Sequence, residues 1–211
     1  MPEVLVPTAR WVRWFDNFQA SHGATDLRVR DGALRGDAVD GSWFEARLPF
    51  SRPYDGPPAI PALADAAATS GAGGAWGVLL VRKGGFALAR VVDGRIEESK
   101  VGQRHVQGRT KAGGQSQQRF ARRRANQARE AYGAAADHAA RILTGTTRVV
   151  AGGDRTAVEE VLADPRLRSI AVVGPWLAVP DPRRAVLDRA VLDAQSLVVT
   201  VENAGPVRGP G

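Results

Sequence analysis

Apolar positions along the opening of the chain follow a helical period. In "TARWVRWFDNFQASHG" Trp11, Trp14, Phe15 and Phe18 fall at i, i+3, i+4 and i+7, which predicts an amphipathic helix that Thr8 can cap and Gly23 can end. An aromatic stripe of this kind reads as a packing face rather than as a set of base-stacking platforms. The period then shortens: "LRVRDGALRG" and "GSWFEARLPF" predict short strands around Asp-Gly and Gly turns. Next, "SRPYDGPPAIPALADAAATSGAGG" carries four prolines, then small residues and glycines, a composition that resists regular structure and predicts a linker.

From Trp76 the pattern is that of a compact domain. "WGVLLVRKGGFALARVVDGRIEESKV" breaks at Lys83-Gly84-Gly85 and at Asp93-Gly94 into three strand-length pieces, a predicted antiparallel meander. After a loop, Ala121, Ala125, Ala128, Tyr132, Ala135, Ala139 and Ile142 advance by alternate fours and threes, which predicts one long helix burying a stripe of mostly small residues and ending before Gly145. "TRVVAGG", a helix near "RTAVEEVLA" and the strand "SIAVVG" complete a predicted βββαβαβ order, and a helix near "PRRAVLDRAVLDA" and the strand "SLVVTVE" follow it in the same domain. The fold class is therefore α+β. Its expected parts are a small N-terminal helix-plus-strands unit over 1–50, a linker over 51–75, the domain over 76–203 and a disordered tail over 204–211.

Composition narrows the chemistry. The 211 residues include no cysteine, which removes disulfides, thiolate metal sites and a cysteine nucleophile. "MPEVLVPTARWVRWFD" has no cationic start followed by an apolar run of signal-peptide length, and nowhere do about 18 apolar residues run uninterrupted. The expectation is a cytoplasmic protein with no membrane partner, acting as a monomer. The net charge of +7 is confined to one place. Residues 101–130 hold Arg104, Arg109, Lys111, Arg119, Arg122, Arg123, Arg124 and Arg129 against Glu130 alone, leaving 21 of the 29 bases and 21 of the 22 acids elsewhere. Such local density is the footprint of a polyanion site, the alternative being a solvated helix face.

The basic segment opens on "KAGGQS". Walker A needs a lysine and a hydroxyl after its second glycine, whereas this lysine precedes the pair, and the Rossmann spacing also fails. The histidines His22, His105 and His138 are far apart and none has an i+4 histidine or carboxylate partner of the usual kind, so no metal ligand set and no cofactor is expected. A ribonuclease H-type nuclease needs a carboxylate near the middle of its first core strand, and "WGVLLVR" has none, while Asp93, Glu97 and Glu98 fall at strand edges. What remains is the tripeptide. Gly113 and Gly114 permit positive φ and a close backbone approach. Gln115 cannot act as a general base, yet its amide can orient a water and its backbone N–H can face a developing oxyanion. An ester in a site otherwise built of RNA suits such a group.

"GGQS" followed by "RFARRR" on the opening turns of a long helix resembles the catalytic domain of archaeal and eukaryotic class I release factors. The whole layout resembles the Vms-like release factors, peptidyl-tRNA hydrolases of ribosome rescue and quality control, and "RWVRWFDNFQASHG" resembles their N-terminal helix. The resemblance implies a ribonuclease H-like domain in which Gly113, Gly114 and Gln115 serve hydrolysis of peptidyl-tRNA. It implies that Arg119, Arg122, Arg123 and Arg124, joined by Arg109 and Lys111 from the approach to the motif, contact the tRNA acceptor end or ribosomal RNA of the large subunit. "RTKA" departs from the glycine-rich approach of release factors. The layout leaves no room for a codon-reading domain, so release without stop-codon reading is implied. The rival reading is a non-enzymatic RNA-binding or ribosome-assembly protein in which the glycines merely bend the chain.

Overall fold

The computed structural model describes residues 3–71, 74–83, 85–103 and 115–204; the side chains of residue 103 and of 115–128 fall outside the description, as does the segment 205–211 of the expected tail. The chain divides into two compact units, 1–73 with 192–211, and 74–191. Each is built on a five-stranded sheet carrying helices, an α+β arrangement.

The first unit contains β1 (Glu3–Val6), α1 (Trp11–His22), β2 (Thr25–Arg30), β3 (Ala33–Ala38), β4 (Trp43–Arg47) and α2 (Ile60–Ala68). The aromatic stripe of α1 is core, as its period predicts: Trp11 and Phe18 are buried, and Trp14 and Phe15 pack against the same cluster. Phe44 of β4 is the hub, with the rings of Trp11, Trp14, Phe15 and Phe18 set edge-on at 5.1–6.0 Å, the orientation that aromatic quadrupoles favour. Gly23 ends α1 at φ +84°, its N–H donating to the Gln19 carbonyl at 2.8 Å. Thr8 opens a short 3-10 turn instead of capping α1, and no side chain caps either start. Asp31 and Gly32, both at positive φ, form the two-residue hairpin turn between β2 and β3.

The expected linker is overturned. Residues 60–68 form α2, and Tyr54, Ile60, Leu63 and Ala67 lie in the core of the first unit. Pro61 sits in the opening turn, where the missing N–H is no loss, and the alanine-rich run behind it is made of the strongest helix former.

The second unit holds β5 (Trp76–Arg82), β6 (Gly85–Val92), β7 (Arg95–Gln103), α3 (Gln115–Ile142), β8 (Arg148–Gly153), α4 (Arg155–Leu162), β9 (Ala171–Leu177) and α5 (Arg184–Asp193). The meander and the βββαβαβ order through β9 follow the sequence pattern. The strands lie in the order β7-β6-β5-β8-β9, with β6 antiparallel to both neighbours and β5, β8 and β9 parallel. β5 is buried from Trp76 to Val81, which is why it reads as a continuous apolar run.

One strand is misplaced by sequence reasoning. The last, β10 (Leu197–Glu202), pairs antiparallel with β1 and β4 in the sheet of the first unit, whose order is β1-β10-β4-β3-β2. Leu197 and Val199 therefore enter the core around Phe44, and the second unit ends before this strand.

Candidate nucleic-acid interface and hydrolytic loop

Gln103 at the end of β7 pairs with Gly85, which pairs in turn with Arg82 at the end of β5. The chain thus leaves β7 at the end of the sheet where the parallel strands finish, and it re-enters described structure at Gln115, the first residue of α3. Gly113, Gly114, Arg109, Lys111 and His105 lie outside the described residues. Arg119, Arg122, Arg123 and Arg124 fall on α3, with side chains outside the description.

What is described of α3 explains how its start is carried. Tyr132 packs against the core, and Ala135, Ala136, Ala139 and Ile142 are buried in it, meeting Leu79, Val81, Phe86 and Leu88 of the sheet and Ala157, Val158 and Val161 of α4. In its described part the small stripe lets the helix approach the sheet closely, as its spacing predicts, while the side chains of Ala121, Ala125 and Ala128 lie outside the description. Two ion pairs flank this stem. Arg166 donates to Asp137 of α3 at 2.6 Å and also to Asp164 at 2.7 and 2.9 Å, and Arg141 pairs with Glu98 of β7. The Arg166 side chain, and then its backbone N–H, hold the Asp164 carboxyl down at about 2. This lock lies outside the residues that sequence reasoning singles out, because the partners Asp137 and Arg166 are far apart in the chain.

Ahead of the stem, Arg129 and Glu130 are exposed. Gln115 stands 17 residues before Tyr132, about 25 Å at the rise of an α-helix. A helix start also presents unpaired N–H groups and the positive end of the helix dipole. With no acid in the first turn of α3, both add to the attraction that the basic residues exert on phosphate.

Groups weighed as rival chemistry are engaged elsewhere. Glu97 pairs with Arg90, Glu98 with Arg141, and Asp93 occupies the β6–β7 turn at φ +49°. His22 bonds Asp40 at 2.9 Å. The Asp40 carboxyl is held below its ordinary range by the Ser42 N–H first and by His22 second. His138 packs 5.8 Å from the Phe86 ring. Tyr132 is half-buried, and burial followed by the carboxylates of Asp154 and Glu160 pushes its hydroxyl up. Among the described residues no three of His, Cys, Asp or Glu are grouped to hold a metal ion, and no helix is long and apolar enough to cross a membrane.

Residues 74–200 match the family described as Actinobacteria/chloroflexi VLRF1 release factor. No curated protein matches the chain.

Proposed function

The chain belongs to the Actinobacteria/chloroflexi VLRF1 release factors, which makes its function release factor-like and places it in translation at the ribosome, and from that premise we propose that it is a peptidyl-tRNA hydrolase of ribosome rescue. The substrate is the ester joining a stalled nascent peptide to the 3′ ribose oxygen of tRNA on the large subunit. Water adds to the ester carbonyl carbon, the bond from that carbon to the ribose oxygen breaks, and a free peptide carboxylate and a tRNA hydroxyl result. No stop codon is read.

The observation that carries the reading is that Gln115, which follows Gly113 and Gly114 in the sequence, is the first residue of α3, whose stem packs on a sheet through a small-residue stripe flanked by two ion pairs. Gly113 and Gly114 admit the backbone to a crowded centre. The Gln115 amide orients water, and its N–H faces the oxyanion that grows as water attacks. Arg109, Lys111, Arg119, Arg122, Arg123 and Arg124 supply the phosphate contacts that hold the loop there. The remaining groups of the centre are RNA, and the protein brings no metal or other cofactor.

The test is single-turnover peptide release from large subunits carrying labelled peptidyl-tRNA, read beside co-sedimentation. Gln115→Ala is expected to lose on the order of 10² or more in rate, the scale of a lost preorganised donor, with binding near wild type. Gly114→Ala is expected to act alike, because a Cβ blocks the backbone approach. Release by Gln115→Ala at the wild-type rate would take the chemistry away from Gln115, and a wild-type chain that binds large subunits but releases no peptide above background would leave the non-enzymatic RNA-binding reading in its place.

A further inference from the structure

Gly152 and Gly153 close β8 tightly between its neighbours. A Cβ on Gly152 would lie 2.5 Å from the Leu177 carbonyl oxygen of β9, and one on Gly153, at φ +95°, would lie 2.3 Å from the Val81 carbonyl oxygen and 3.1 Å from Cγ of Arg82. Only glycine fits against backbone at such distances. The Asp154 N–H donates to the Val81 carbonyl at 2.8 Å, which ties the start of α4 to the end of β5. Arg82, Lys83 and Arg155 are thereby gathered at one end of the sheet of the second unit, and all three are exposed. The same end is where α3 departs. His138 packs 5.8 Å from the Phe86 ring, Phe86 pairs with Val81 one position inside the Arg82–Gly85 pair, and Gln115 lies 23 residues before His138, about 34 Å of helix.

The partners of these cations set them apart. Arg90, Arg141, Arg166 and Arg184 of the same unit each pair with a carboxylate, whereas Lys83 and Arg155 have no ion-pair partner among the described residues. The Arg155 guanidinium lies over the Trp176 ring instead, 4.3 Å from its centroid. Such a stack holds a guanidinium in place and leaves its fork of N–H donors free for a phosphate. Nη1 of Arg82 donates to the Val179 carbonyl at 2.8 Å, while its partner Asp181 stands 3.8 Å from Nε and is 71% exposed. The other acid at this end, Asp154, accepts from the Ala157 N–H and caps α4. We propose that Arg82, Lys83 and Arg155 form a second phosphate-contact surface, at the root of α3, which docks the sugar–phosphate backbone of RNA. The proposal rests on the reading of the chain as a factor that acts at the ribosome. Phosphates recur along an RNA strand, so RNA engaged by the basic start of α3 and lying along the unit brings further phosphates to the root. Contacts of this kind fix position and orientation and take no part in the chemistry.

The test uses the full chain and two double variants of equal charge change. Lys83→Gln with Arg155→Gln removes two cations from the root, leaving in place Arg82, which also holds the Val179 carbonyl. Arg95→Gln with Arg168→Gln removes two exposed cations at the opposite end of the sheet, at the β6–β7 turn and just before β9. Binding is measured at several salt concentrations to intact large subunits, to the protein-free RNA extracted from them and to tRNA, with circular dichroism as the control for folding. The root variant is expected to bind large subunits more weakly, with a log–log slope lower by about 1.4 to 1.8, the sum for two lost phosphate contacts. The control variant is expected to keep the wild-type slope. A loss that recurs with tRNA assigns the phosphates to tRNA, and one that recurs only with extracted RNA assigns them to ribosomal RNA; either supports the surface. Equal slopes for the two variants overturn it, and so does a loss confined to intact subunits, which an acidic protein partner would give. A wild-type chain that binds large subunits but releases no peptide sinks the hydrolase instead, and the slopes still judge the surface.

Discussion

Gly36 lies in β3 directly opposite Phe44 of β4, and a Cβ there would fall 2.2 Å from one ring atom and 2.6 Å from the next. An overlap of that size is relieved only if the ring swings away, and four aromatic edges hold it in place. Gly36→Ala is therefore expected to cost about 1–3 kcal/mol, as overpacking of a filled core does, read as a lower urea midpoint at unchanged slope. An unchanged midpoint would mean that the hub ring is free to move. This constraint is invisible in "LRG", because which ring faces a glycine is settled by strand register. Gln115 is the opposite case. The chemistry proposed for it is read from the sequence alone, because Gly113, Gly114 and Gln115 are adjacent in the chain and the properties of their own groups state what they can do. The partners that fix the stem beneath them, Asp137 with Arg166 and Arg141 with Glu98, meet only through the fold.

The long helix separates two jobs along its length. Its described burial begins near Tyr132, and Arg119, Arg122, Arg123, Arg124 and Arg129 precede that point, so charge reversal at Arg122, Arg123 and Arg124 is expected to leave the fold alone. Arg122→Glu, Arg123→Glu and Arg124→Glu together should weaken ribosome binding and flatten its dependence on salt, each lost phosphate contact lowering the log–log slope by about 0.7 to 0.9. Binding measured at several salt concentrations checks this, with circular dichroism as the control. An unchanged slope would make these arginines a solvated face. Elements such as α1 and α3 were readable because each shows several turns of one period. α2 was hidden by its own prolines: four in the segment 51–61 mask the fact that only Pro61 lies within the helix, in its tolerant first turn.

At the level of the molecule the decisive fact is where the last strand goes. Among the described residues β10 is the sole strand partner of β1, and it pairs with β4 as well, so the first unit joins segments far apart in the chain. Short apolar strands carry no label for a distant partner, which is why "SLVVTVE" reads as the next strand of the domain it follows. The cluster around Phe44 takes Leu197, Val199 and Val201, whereas the cluster around α3 is drawn from residues of the second unit. Ending the chain after Gln195 is accordingly expected to strip protection from α1, α2 and β1–β4 while β5–β9 keep theirs. Hydrogen exchange reads both units in one experiment. Retained protection at Leu34 and Phe44 would show that four strands and two helices suffice for the first unit. If protection is lost, the pairing of β4 with β10 must close after the whole second unit has emerged from synthesis. Contacts of such high sequence separation form slowly, so the apolar face around Phe44 stays open until the end of the chain arrives, and full-length chains should gain protection in β5–β9 before they gain it in β1–β4.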